Sequence, residues 1–201
     1  MRKAISHLKK SDPLLAAVIE RIGPCRIEYH EPEFSTLVRS IVYQQLSGKV
    51  ASVIFERFLQ LLPRKKLTPR AVLGLSLADL RSAGLSRAKA AYIRDLAEKT
   101  DARVVRFHDL PALTDEEVIA ALTQVRGVGV WTAHMFLIFA LQRPNILPVG
   151  DLGVRSAIKK VYNLEELPRP AEVERIAATW HPYCSVAAWY LWRSLDGPGA
   201  T

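Results

Sequence analysis

The chain has 201 residues, of which 49% are hydrophobic and 24% charged, a balance typical of a globular protein with one or two small domains. Its formal net charge of +8 favours a polyanionic partner, with nucleic acid, an anionic membrane face and no special partner all left open. No apolar run reaches the roughly 18 residues of a membrane span, and the basic N-terminus lacks the apolar region of a secretory signal. Only Cys25 and Cys184 occur, without metal-like spacing, which argues against a disulfide framework and favours the cytoplasm.

Helix starts recur along the sequence. Asp12-Pro13 and Thr68-Pro69 each combine a capping side chain with a proline suited to the first helical position. Ser76 to Asp79 and Thr114 to Glu117 have the spacing of capping boxes. Apolar residues follow at helical spacing in two clear stripes, made of Phe34, Leu37, Val38, Ile41 and Val42, and of Val154, Ala157, Ile158 and Val161. The segment 130–141 is apolar nearly all round, which predicts a buried central helix.

The sequence shows no convincing period-two strand, so it predicts an all-α fold of short helices. Pro32 and the segment 143–148 are the best breaks. They divide the chain into a central domain, 33–147, and a second lobe formed by 1–32 plus 148–201. We expect a two-lobed molecule with its ligand site in a cleft between the lobes.

The most informative segment is 122–133, in which Gly127 and Gly129 separate the helix that begins at Thr114 from the buried helix. Glycines allow a sharp turn and a close approach to another surface. The amides that open the second helix lie at the positive end of its dipole, and for a basic protein a DNA phosphate is the expected anion. The same spacing also suits a tight helix-helix turn that binds nothing, and the residues alone leave both interpretations open.

Asp151 follows the buried helix after a short proline-containing connection, where a new amphipathic helix begins. Taken alone, it is best explained as an N-cap worth about 1 kcal/mol. Its place in the order of elements also suggests a functional role. A glycine hairpin, a buried helix, a short connection and an aspartate at a helix start follow one another along the chain.

This order resembles the helix-hairpin-helix DNA glycosylase superfamily, over about 34–193. Three segments make the chain most similar to the 3-methyladenine DNA glycosylase II group: the early helix and loop at 34–47, the hairpin at 127–133, and the aromatic helix at 187–192. The resemblance implies a helix-hairpin-helix motif within the two-lobed all-α fold, and it makes Asp151 the catalytic carboxylate that stabilises positive charge on the sugar.

The resemblance also implies two sets of binding residues. Contacts to DNA are expected from a wedge loop and from the hairpin, namely Gln45, Leu46, Ser47, Gly127, Gly129 and Thr132. The base pocket is expected to be lined by side chains of two helices, namely Trp131, His134, Met135, Trp189 and Trp192. Without the family, Gln45 is an ordinary polar helix-end residue, and the tryptophans are core residues as readily as pocket residues.

Departures from the family refine the chemistry. Bifunctional members carry a lysine nucleophile where this chain has Trp131, so we expect a monofunctional enzyme without strand cleavage. Members with an iron–sulfur cluster need four C-terminal cysteines, and this chain has Cys184 alone in that region, so no such cluster and no required cofactor is expected. The resemblance does imply a monovalent cation, Na⁺ or K⁺, on the hairpin carbonyls of Thr123, Val125 and Val128.

The sequence therefore predicts a DNA-3-methyladenine glycosylase that hydrolyses the N-glycosidic bonds of 3-methyladenine and 7-methylguanine in base excision repair. Damaged double-stranded DNA is the expected partner, bound by a monomer that does not associate with membranes, at a bacterial nucleoid in the cytoplasm or in a eukaryotic nucleus. Two alternatives remain: a non-catalytic helix-hairpin-helix module that binds DNA, and a glycosylase for uracil, deaminated or oxidised bases. Neutral bases need precisely placed polar groups, which the sequence does not identify.

Overall fold

The computed structural model describes residues 1–196, which form twelve α-helices and contain no β-strand. In chain order the helices are α1 (Arg2–Ser11), α2 (Pro13–Ile22), α3 (Phe34–Tyr43), α4 (Gly48–Gln60), α5 (Pro69–Leu73), α6 (Leu77–Ser82), α7 (Arg87–Asp101), α8 (Asp115–Leu122), α9 (Val130–Phe139), α10 (Leu152–Val161), α11 (Pro170–Ala177) and α12 (Cys184–Leu195). The predicted all-α fold class is confirmed. None of the helices within 1–196 is long and apolar enough to cross a membrane.

The helix starts lie where the capping residues predict them. Asp12 accepts hydrogen bonds from the first amides of α2, and Thr68 accepts one from the first turn of α5. Ser76 and Thr114 each form a reciprocal capping box with the acid three residues later. These local signals work because a cap satisfies amides that have no partner inside the helix.

The chain divides into two compact units. Unit 1 comprises Met1–Tyr29 and the chain from Gln142 onward, and its core forms where α2, α10 and α12 pack together. The fully buried Trp180 donates its indole N–H to Asp12 at 2.8 Å, and the hydroxyl of Tyr162 donates to the same carboxylate oxygen. Asp12 therefore stabilises both the start of α2 and the centre of unit 1.

Unit 2 is His30–Leu141, and α7 packs against α3, α5 and α6 within it. All five residues of the predicted α3 stripe are buried. The predicted burial of the whole segment 130–141 is wrong at its start, because Val130 and Trp131 are 53% and 49% exposed. The first turn of α9 emerges from the hairpin at the surface, and burial begins at Thr132.

Candidate active site

Asp151 is a buried carboxylate at the N-terminus of α10, with 8% of its surface exposed. Its Oδ1 atom accepts the backbone N–H of Val154 at 2.7 Å and the indole N–H of Trp192 at 2.8 Å. The first bond confirms the N-cap, and the position also favours a negative charge because it faces the positive end of the helix dipole. Two donors on one oxygen hold the carboxyl group in a defined orientation.

Gly153 makes room for this arrangement. A Cβ atom at this position would lie 2.9 Å from Cδ1 of Trp192 and 3.1 Å from Oδ1 of Asp151. Contacts this short force the neighbouring atoms to move, so the indole and the carboxylate meet because residue 153 has no side chain. The sequence assigned no role to Gly153, since only the path of α12 reveals the crowding.

The other predicted pocket residues fall in different environments. Trp189 is buried in the core of unit 1, edge-on to Tyr190 with ring centroids 5.0 Å apart, an arrangement that serves packing. Trp131 is half-exposed in the first turn of α9, and the half-buried Met135 lies one turn further on the same side of that helix. Burial lowers the pKa of His134, against an opposing charge from Asp115, so its ring is neutral near pH 7.

The hairpin between α8 and α9 uses its two glycines differently. Gly127 has φ +77°, and a Cβ there would lie 2.1 Å from a ring carbon of Tyr92. Gly129 has an ordinary φ of −96°, and a Cβ there would meet no atom within 4 Å. The chain itself requires glycine at 127 for the turn and the close approach, whereas glycine at 129 only keeps the exposed side of the hairpin open. Thr132 is buried, and its hydroxyl lies 3.5 Å from the side-chain amide of Gln44, so a contact of Thr132 with DNA stays a prediction.

The wedge loop, Gln44–Ser47, connects α3 with α4. The predicted residues Gln45, Leu46 and Ser47 are all exposed, and Leu46 shows 38% of its surface. Gln45 has φ +56°, a left-handed conformation that is unfavourable for a residue with a side chain. An exposed polar residue held in this conformation is common where a loop presents a side chain to a ligand.

Polar side chains of α7 support the hairpin, a role that the sequence analysis did not predict. Asp95 accepts the backbone N–H of Arg126 at 2.9 Å and the ammonium of Lys99 at 2.7 Å. Burial by itself raises the pKa of the Asp95 carboxyl, but these hydrogen bonds and the charges of Lys99 and Arg126 outweigh it, so the pKa is lowered. In the sequence, these supporting residues could have been recognised as polar residues that recur at helical spacing on a partly buried helix.

The predicted cation ligands lie in the turn after α8. The Val125 carbonyl accepts the amide of Val128 at 3.1 Å, and the neighbouring carbonyl of Gln124 accepts the ammonium of Lys99 at 2.7 Å. A backbone carbonyl oxygen has two lone pairs, so the Val125 carbonyl keeps one for an alkali cation, whereas the Gln124 carbonyl that accepts the ammonium is not among the predicted ligands. A monovalent cation on Thr123, Val125 and Val128 stays a prediction.

No group of three or more His, Cys, Asp or Glu side chains within residues 1–196 is arranged to hold a metal ion. Both cysteines are free thiols in this part of the chain. Burial raises the pKa of Cys25 to about 11 and that of Cys184 to about 12, so both are protonated and poorly nucleophilic near neutral pH.

The family model described as the HhH-GPD superfamily base excision DNA repair protein matches residues 38–182, which include the wedge loop, the hairpin and Asp151. The chain belongs to this superfamily. Its sequence is 30% identical to that of DNA-3-methyladenine glycosylase 1 of Schizosaccharomyces pombe. The match covers 96% of this chain and 87% of the relative.

Two solved structures share the fold of this HhH-GPD protein. The 3-methyladenine DNA glycosylase of S. pombe in complex with abasic DNA is 31% identical, with a TM-score of 0.85 over 96% of each chain. A DNA-3-methyladenine glycosidase from Bacillus halodurans is 35% identical, also with a TM-score of 0.85, over 95% of this chain and 88% of that one.

Proposed function

We propose that this protein is a monofunctional DNA glycosylase that removes alkylated purines, 3-methyladenine and 7-methylguanine, and leaves an abasic site. The observation that carries the proposal is the buried Asp151 carboxylate, oriented by Trp192 and Val154 in a member of a base excision repair superfamily. Relatives of about 30% identity that match nearly the whole chain are named DNA-3-methyladenine glycosylases. This agreement makes alkylated purines the first substrates to test.

Asp151 acts on the sugar in this proposal. Breaking the N-glycosidic bond leaves positive charge on C1′ and its ring oxygen, and a fixed carboxylate stabilises that charge without reorganising. A water molecule then attacks C1′, and as the new C–O bond forms it loses a proton, which passes to bulk solvent. Trp131 stands where bifunctional enzymes carry a lysine, so no Schiff base forms through that position and the DNA strand stays intact.

The damaged base needs no strong acid. Alkylation at N3 or N7 makes a purine cationic, so it departs as a neutral base without being protonated first. The neutral His134 is not needed as a proton donor. The half-exposed indole of Trp131 offers an aromatic face, which attracts a cationic ring.

Phosphate binding is assigned to the hairpin and the start of α9. The N-terminal amides of a helix carry partial positive charge, and the open side of Gly129 lets a phosphate approach the backbone. The wedge loop would occupy the gap left by the extruded nucleotide, through Gln45 or its exposed neighbour Leu46. The net charge of +8 adds a general attraction for DNA.

Further parts of the proposal concern the assembly. The enzyme works as a monomer on double-stranded DNA, at the nucleoid in a bacterium or in the nucleus in a eukaryote. Hydrolysis by a carboxylate and water requires no cofactor, and Na⁺ or K⁺ at the hairpin would only offset phosphate charge. Light scattering in solution tests the monomer, and activity after chelation and exchange into a buffer free of alkali cations tests the cofactor requirement.

The deciding experiment offers duplexes of one sequence that contain 7-methylguanine, 3-methyladenine, hypoxanthine, uracil or 8-oxoguanine, and identifies each released base. Release of the two alkylated purines, with an alkali-labile but otherwise intact strand, supports the proposal. Release of only a neutral base would reassign the lesion. Tight binding to all five duplexes without any release would instead favour the non-catalytic DNA-binding module.

A further inference from the structure

The wedge loop is bonded to the hairpin through two side chains. Lys89 on α7 donates from Nζ to the carbonyls of Val42 at 2.7 Å and Gln44 at 2.5 Å. The side-chain amide of Gln44 in turn donates to the Gly127 carbonyl at 3.0 Å and lies 3.5 Å from the Thr132 hydroxyl. An unbroken chain of polar contacts therefore runs from α7 through the base of the wedge loop to the hairpin.

One face of α7 supports both DNA-binding segments. Its residues Lys89, Tyr92, Asp95 and Lys99 lie within an arc of roughly 120° around the helix axis, because successive residues are about 100° apart. Lys89 contacts the wedge loop, Tyr92 packs against Gly127, and the other two bond to the hairpin turn. The relative position of the loop and the hairpin is thus set by the spacing of side chains along one rigid helix.

Lys89 is well suited to hold the loop. Val42 contributes one of the last carbonyls of α3 and Gln44 is its C-cap, where carbonyls lack helical partners and carry partial negative charge. A half-buried ammonium with carbonyl acceptors makes stronger hydrogen bonds than a neutral donor does. The next residue, Gln45, is the one with a left-handed backbone, so the restraint ends where the wedge begins.

We propose that Lys89 is a positioning residue for nucleotide extrusion, which acts through Gln44 to hold the wedge loop at a fixed distance from the hairpin. This inference rests on the proposed glycosylase function. In this role Lys89 touches neither the damaged base nor the sugar. It sets where the wedge residue enters the duplex relative to the phosphate bound by the hairpin, and it leaves the bond-breaking step to Asp151.

An extrusion role and a purely structural role differ in a measurable way. A lesion in a single-nucleotide bulge has no base pair to break, so its extrusion demands less of the wedge than extrusion from a normal pair does. A variant that fails to position the wedge should therefore lose activity on a paired lesion and keep most of it on a bulged one. A variant with a generally damaged fold should lose activity on both substrates alike.

The test compares Lys89→Met with Lys66→Met, which removes the same charge from an exposed loop position. Single-turnover release of 7-methylguanine is measured from a duplex with cytosine opposite and from one with the lesion in a bulge. We expect Lys89→Met to be slower by about tenfold on the paired duplex, the scale of a lost charged hydrogen bond, and by less than about twofold on the bulge. Lys66→Met should match the wild type on both. Equal losses on the two substrates, or no loss relative to Lys66→Met, would overturn the proposal.

A double-mutant cycle with Gln44→Met provides the second measurement. If both residues act through one link, the double variant should be no slower on the paired duplex than the worse single variant. Multiplicative losses would contradict a shared link. Should Lys89→Met fail to fold, Lys89→Gln is compared with Lys66→Gln on the same two duplexes, and equal rates for these two variants would overturn the proposal.

A measurement of nucleotide extrusion that does not depend on base release distinguishes the positioning role of Lys89 from the proposed glycosylase activity. Fluorescence of a 2-aminopurine placed beside an abasic-site analogue reports how far the duplex opens on binding, without any base release. If the wild type opens the duplex but releases no alkylated base, the glycosylase assignment fails while Lys89→Met still tests the link. A fluorescence change in Lys89→Met equal to that of Lys66→Met would then refute the positioning role.

Discussion

Trp192 donates its indole N–H to Oδ1 of Asp151, the same oxygen that accepts the amide of Val154. The two donors come from α12 and α10, which pack together in unit 1. The carboxylate therefore caps one helix and is oriented by a second. One residue can satisfy both the capping and the catalytic interpretation of its sequence position, and substitutions can separate the two contributions.

Replacing Asp151 with asparagine should preserve the fold and abolish most of the activity. The amide oxygen can still accept both hydrogen bonds, but it cannot offset positive charge on the sugar. Single-turnover release of 7-methylguanine should fall about a hundredfold or more, with an unchanged thermal midpoint. Asp101→Asn, which removes an exposed carboxylate at the end of α7, is the control and should behave like the wild type. Near-normal activity of Asp151→Asn would show that Asp151 serves only as a helix cap.

Gly153→Ala should lower the activity while leaving the Asp151 carboxylate chemically unchanged. The new Cβ would crowd the indole of Trp192 and the Oδ1 atom of Asp151, so one of them must shift. We expect release to slow by about tenfold, because small displacements of catalytic groups reduce rates steeply. Gly150→Ala is the matched control, since its Cβ would meet no atom within 4 Å. Equal rates for the two variants would show that the site tolerates the displaced indole.

Substitutions of the two hairpin glycines should affect different properties: stability at Gly127 and DNA binding at Gly129. Gly127→Ala combines a left-handed backbone with a collision against Tyr92, so the free energy of unfolding should fall by about 2 kcal/mol or more. Gly129→Ala has neither problem and should keep its thermal midpoint, yet its methyl group stands where we place the phosphate. Its affinity for an abasic-site duplex should therefore drop. Unchanged affinity would remove Gly129 from the DNA interface.

The hydrogen bond between Asp95 and the hairpin should make the stability of the protein sensitive to acid. The pKa of this carboxyl is lowered in the folded state, so its contribution to stability is complete above the ordinary value of 3.8. That contribution is lost as the pH falls through the lower, folded-state pKa. Urea unfolding between pH 3 and 7 should show a smaller pH dependence for Asp95→Asn than for the wild type. Parallel curves would assign the acid sensitivity to other carboxylates.

The sequence predicted what depends on neighbours along the chain. The caps at Asp12 and Asp151 and the buried stripe of α3 follow from spacings of a few residues, and the structure has all of them. Lys89 and Gln44 are 45 residues apart, and Asp151 and Trp192 are 41 apart, so their hydrogen bonds arise only when helices pack. Helical periodicity also could not reveal that the first turn of α9 reaches the surface, because its apolar residues look like those of the core.

Trp131 should contribute to the choice of lesion and little to stability. Its side chain is about half exposed, so Trp131→Leu should change the thermal midpoint only slightly. The substitution keeps an apolar surface but removes the aromatic face, whose attraction for a cation is worth about 0.5 to 2 kcal/mol. Cationic bases also leave faster without any enzyme, so each enzymatic rate is divided by the spontaneous rate for the same base. The normalised preference for 7-methylguanine over neutral hypoxanthine should then shrink by about 2- to 30-fold in the variant. An unchanged ratio would mean that the indole does not contact the base, and that the intrinsic lability of the damaged nucleotide sets the preference.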